Sequence, residues 1–145
     1  MLIVGVTGSN KTKRDIAYNV VHYMIKQLMP RLRNIEIEVK LTALTGDAVG
    51  YCLMGDSNRD FELEIDKNLN IKDLVMTLCH EMVHVKQYVR KEMDDWNGLA
   101  VARWKNKTVL PNTNYYDLPW EKEAYELQTK LAKMCWKEGI FLSLI

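Results

Sequence analysis

At 145 residues, 48% of them apolar and 27% charged, the chain has material for one hydrophobic core but not two. Twenty Lys and Arg against nineteen Asp and Glu leave a net charge of +1, which excludes a general attraction to nucleic acid or an anionic membrane. No apolar run approaches the ~18–20 residues of a transmembrane helix, and residues 2–6 are too short and lack the basic flank of a signal peptide, so one cytoplasmic domain over residues 1–145 is expected.

The first expected element is a helix between Ser9 or Asn10 and Pro30, where Ile16, Ala17, Val20, Val21, Met24, Ile25 and Leu28 recur at helical spacing. Residues 35–41 alternate strictly and predict a strand with one buried face. A second strand is expected over 48–54 between the turn signals Gly46-Asp47 and Gly55-Asp56, and a third over 61–66 with Phe61, Leu63 and Ile65 inward. Asn70, with Asp73 at the third position, starts a long helix to about Lys91. Residues 94–114 are less regular, with a short hairpin over 102–109 turning at Asn106-Lys107. Arg103, Lys105 and Lys107 in that hairpin read as solvated charges. Pro119 opens the last helix, which ends near Glu138 before Gly139. The order is helix, three strands, helix, irregular segment, helix: an α+β fold with a small sheet packed on helices. Cys52, Cys79 and Cys135, odd in number and set among apolar residues, suit buried free thiols.

The chemistry is concentrated in His80-Glu81-Met82-Val83-His84. Two histidines four apart on a helix project from one face, about one turn apart, and can reach one ion at ~2.0–2.1 Å. Glu81 beside them can reach a water at the metal without ligating it, the general-base arrangement of zinc peptidases. Leu74, Leu78, Met82, Val85 and Val89 form the apolar stripe of this helix, while Thr77, His80, His84 and Gln87 lie opposite. A third ligand is needed. Arg90 stands where a metzincin has its third histidine, and His22 lies far upstream. The remaining donors are acidic and downstream: Glu92, Asp94 and Asp95 follow too closely, which leaves Glu121 and Glu123.

The run Thr77-Leu78-Cys79-His80-Glu81-Met82-Val83-His84-Val85-Lys86-Gln87, with Glu121-Lys122-Glu123-Ala124 on a later helix, resembles the gluzincin class of zinc peptidases. Short SprT-like and phage- or bacteria-encoded metallopeptidases have a similar layout. The resemblance implies a zincin-like domain holding Zn2+ through His80, His84 and the Glu of E-x-x-A, Glu121, with Glu81 as base and a protein or peptide as substrate. Glu121 shares the face of Ala124, whose small side chain lets two helices approach; Glu123 points elsewhere. Tyr125 occupies the place where many gluzincins carry an acid that orients a histidine. The strand before the metal helix, residues 61–66, would be the edge that pairs with an extended substrate. Tyr115, Tyr116 and Tyr125 are possible donors to the oxyanion, each of them more ordinary as a packing residue.

Two other classes compete. Gly5-Val6-Thr7-Gly8-Ser9-Asn10-Lys11-Thr12 follows a short apolar strand and resembles a phosphate-binding loop, but Asn10 replaces the glycine before the lysine and no parallel βαβ pattern is expected to follow. Ser9-Asn10 is better read as a helix cap. The other competitor is an inactive zincin that binds a partner, against which the intact Glu81 argues.

Overall fold

The computed structural model describes residues 1–94 and 102–145. The fold is mixed α+β. Strand β1 (Leu2–Gly8) leads through helix α1 (Lys11–Leu28) to β2 (Ile35–Thr42), and β3 (Gly50–Met54) and β4 (Asp60–Asp66) precede helix α2 (Ile71–Val89). Short strands β5 (Met93–Asp94), β6 (Arg103–Trp104) and β7 (Lys107–Thr108) follow, then a 3-10 turn at Tyr115–Asp117 and helix α3 (Pro119–Glu138). Among the described residues, no helix is long and apolar enough to cross a membrane.

The helices begin where their caps dictate. The side-chain oxygen of Asn10 accepts from the Lys13 amide at 2.9 Å, and that of Asn70 from the Asp73 amide at 2.8 Å. Helix α3 has Pro119 at its start and ends on Gly139 at φ +65°. The loop expected as a cap is therefore one, and Arg14 closes it by donating to the carbonyls of Gly8 and Ser9.

The four-stranded sheet has the order β1-β2-β4-β3. β1 pairs with β2 in parallel, β2 with β4 in parallel, and β3 with β4 antiparallel. The short apolar strand read ahead of the first helix is a full member of the sheet, which the expected order of elements left out, and β1-α1-β2 is the parallel βαβ unit that was not expected. Parallel strands are usually buried on both faces and read as continuous apolar runs. This sheet is covered on one face only, so Ile35, Ile37, Val39 and Leu41 are buried while the residues between them are exposed. Strand 61–66 is also not the edge: β4 lies inside the sheet and β3 is the edge, in contact with α2.

The hairpin forms with Lys105 and Asn106 at its turn, one residue earlier than expected, both at positive φ (48° and 68°). Of the 94–114 stretch, residues 95–101 lie outside the described residues. The three cysteines are free thiols; Cys79 and Cys135 are buried and Cys52 half-buried.

Gly8 is a point of close approach. It sits at φ +89°, and a Cβ there would lie 2.0 Å from the Leu41 carbonyl oxygen. Gly46 has a similar φ of +85° with nothing within 4 Å. Gly8→Ala is therefore expected to cost clearly more than the ~1–3 kcal/mol of the backbone conformation alone, and Gly46→Ala only that much. Urea unfolding midpoints would check the difference; equal losses would mean that the β1–β2 junction shifts freely.

Candidate metal centre

Helix α2 lies between the sheet and α3 and contacts α1, β3 and β4 as well. Leu74, Leu78, Met82 and Val85 of its apolar stripe are buried and Val89 is half-buried, and the face carrying His80, His84 and Gln87 is buried too, because α3 covers it. Ala124 is fully buried where the two helices meet. Glu121, one turn earlier on α3, is buried and directed at the two imidazoles.

The distances define one focus. His80 Nε2 is 3.0 Å from Glu121 Oε1, His84 Nε2 is 3.1 Å from Glu121 Oε2, and the two Nε2 atoms are 3.2 Å apart. Two ligands at ~2.0–2.1 Å from one ion at a tetrahedral angle lie about 3.3–3.4 Å apart, so the spacing fits a shared ion closely. His80, His84 and Glu121 thus form a buried group that can hold a metal.

The surroundings of each imidazole support that reading. Gln87 donates its amide nitrogen to the Trp120 carbonyl at 2.9 Å and to Glu123 Oε1 at 3.1 Å. Its Oε1 must then face His84 Nδ1, 2.8 Å away, as an acceptor. This leaves Nε2 of a neutral His84 with a lone pair aimed at the focus. Gln128 Oε1 lies 2.7 Å from His80 Nδ1 in the matching role. Lone pairs and carboxylate oxygens gather at one point, an arrangement that calls for protons or a cation. The Tyr115 hydroxyl adds one donor, 2.9 Å from Glu121 Oε1.

In the metal-free protein the charges respond accordingly. Burial raises the Glu121 carboxyl, but hydrogen bonds from His80, His84 and Tyr115 outweigh it and bring the pKa to about 2. Burial likewise lowers His84, and the hydrogen bond and charge of Glu121 more than offset this, so its net shift is upward. Burial pushes the Glu81 carboxyl up, against the pull of His84 and His80.

Glu81 stands beside the triad without joining it and lines the same cleft of about 590 Å³. Edge strand β3 roofs it. A Cβ on Gly50 would lie 2.8 Å from Thr77 Cγ2 and 3.1 Å from Glu81 Oε2, so glycine allows the strand backbone to approach the carboxyl.

Glu123 does not reach the focus, yet it is not idle. It accepts from the buried Lys86 at 2.6 Å and from Gln87, and Lys86 also pairs with Glu92 at 2.8 Å. The expectation that Glu123 points away from the ligands holds, but its removal would loosen the support of His84. Sequence reasoning missed Gln128 altogether. Its position seven residues after Glu121, two turns along the same face, was the available signal. Tyr125, at the place of the acid seen in many gluzincins, instead packs its ring 4.6 Å from that of His80.

Set against known proteins, the chain matches no family model, no curated protein and no solved structure.

Proposed function

We propose that this chain is a zinc-dependent peptidase of zincin-like, gluzincin type. The observation that carries the reading is the convergence of His80, His84 and Glu121 on one point while Glu81 faces the cleft beside them. Two histidines and a glutamate, with a side open to the cleft, suit zinc in a catalytic rather than a structural site. A zinc ion held there supplies Lewis acidity, polarising a peptide carbonyl and rendering a water acidic near neutral pH.

The chain's own groups do the rest. Glu81, in the cleft beside the triad, accepts the proton of the attacking water and returns it to the leaving amine nitrogen. The glutamines hold both imidazoles in register, and the Tyr115 hydroxyl, which donates its one proton to Glu121 Oε1, holds that carboxylate in place. Hydrogen bonds joining Asp66 N to Val49 O and Gly55 N to Asp60 O set the ladder between β3 and β4. In an antiparallel pair such bonds alternate, so Gly50, Cys52 and Met54 turn their main-chain groups to the free edge. An extended peptide pairing there would pass over Glu81 with little demand on its sequence.

The test is metal-dependent hydrolysis. Purified protein should carry about one zinc per chain, cleave members of a peptide library, lose that activity to a chelator and regain it with one equivalent of zinc. Stoichiometric zinc without cleavage of any peptide would replace this reading with a metal-stabilised binding module.

A further inference from the structure

The metal cleft does not end at Glu81. A second pocket of about 390 Å³ lies past the far end of β3, at Met54 and Asn58. Tyr88 and Met93 line both pockets, so the two are adjoining compartments of one groove along the free edge of β3. We infer that the second compartment is a subsite for an acidic side chain of an extended peptide, about four residues from the bond lying over Glu81. The inference rests on the peptidase reading and names its substrate class.

Register and charge carry the argument. Gly50 lies over Glu81, and four residues at ~3.3 Å each separate it from Met54, about 13 Å along the edge. A peptide paired to Gly50, Cys52 and Met54 therefore brings a residue about four places from the bond to the second pocket. That pocket holds two cations and two acids: Lys91, Arg103, Glu92 and Asp94. The acids are engaged. Glu92 pairs with Lys86 at 2.8 Å and lies 4.0 Å from Lys105, and Asp94 has an interaction of its own. Lys91 and Arg103 form no ion pair with another described residue. Arg103 lies opposite Asp94 in the β5–β6 ladder without an ion pair to it, so its guanidinium is open to a ligand, and a planar guanidinium suits a carboxylate. The compartment over Glu81, by contrast, has no lysine or arginine in its lining, so the chain itself offers an acidic side chain a cationic partner only further along.

The experiment measures binding of eight-residue fluorescent peptides to zinc-loaded Glu81→Gln protein, which leaves them uncut. The peptides differ only by Glu, Gln or Lys at one position, scanned along the sequence. Glu is expected to bind about tenfold tighter than Gln at one position, and Lys weaker still. Arg103→Glu should invert the order in favour of Lys, a gain that a misfolded variant cannot show. Equal binding of the three peptides, no binding at all, or an unchanged order in Arg103→Glu would overturn the subsite. If the order holds and inverts but protein with Glu81 intact cuts none of these peptides, the subsite stands and the peptidase reading falls.

Discussion

Glu121→Ala is expected to weaken zinc binding by about 10²–10³-fold. Structural zinc sites release roughly 10–16 kcal/mol, about 2.5–4 kcal/mol for each of their four ligands, and each 1.4 kcal/mol is tenfold. The neighbouring positions supply a graded comparison. Gln87→Ala removes the acceptor that faces His84 Nδ1, a loss of about 10–100-fold by analogy with other groups that orient metal-bound histidines. Glu123→Ala acts one step further out, through Gln87 and Lys86, and should cost less than about tenfold. Competition titration against a chelator would rank the three. If Glu123→Ala loses as much as Glu121→Ala, the third ligand has been misassigned and α3 turns a different face to the site.

Glu81→Gln should separate binding from chemistry. Glutamine has nearly the same shape, fits under Gly50 and leaves His80, His84 and Glu121 in place, so zinc content should not change. It cannot take a proton, and peptide hydrolysis should fall by about 10²–10⁴-fold, the range expected of a general base. The fall belongs in the turnover rate rather than in peptide affinity. A variant that cuts an accepted peptide at the parent rate would remove Glu81 from the mechanism. Loss of zinc along with activity would instead show that Glu81 holds the site together.

Signals confined to one segment make much of the fold and the site legible in the amino-acid sequence. Helix α2, expected over about 70–91, spans 71–89, because Asn70 and the apolar spacing act within that segment; α3 matches its expected limits through Pro119 and Gly139 for the same reason. Glu121 is separated from Glu123 by helical geometry alone once Ala124 is taken as the contact. What the sequence conceals depends on partners far apart in the chain. Nothing in residues 2–8 says that they pair with 35–41, and alternation along β2 hides a parallel strand because only one face of the sheet is covered. Strand order is a property of the whole sheet, so the alternation of residues 61–66 cannot reveal that β3, and not β4, is the edge. Gln128 and Lys86 gain their meaning only when α3 is laid against α2.

The placement of α3 against α2 has a further consequence, in time rather than space. The glutamate lies 41 residues beyond His80 in the chain and Gln128 lies 48 beyond it, while the roof at Gly50 comes well before. In a nascent chain the sheet and α2 segments are made before α3, and at that stage it has two histidines and a carboxyl but no triad. The ligand set closes only when the last helix docks. On the peptidase reading, a chain still being made would lack its third ligand, and docking of the last helix would be the step that completes the site. The same dependence would run backwards: if the triad holds an ion, withdrawing it removes one tie between the two helices, and amide exchange should then rise in α3 before it rises in the sheet.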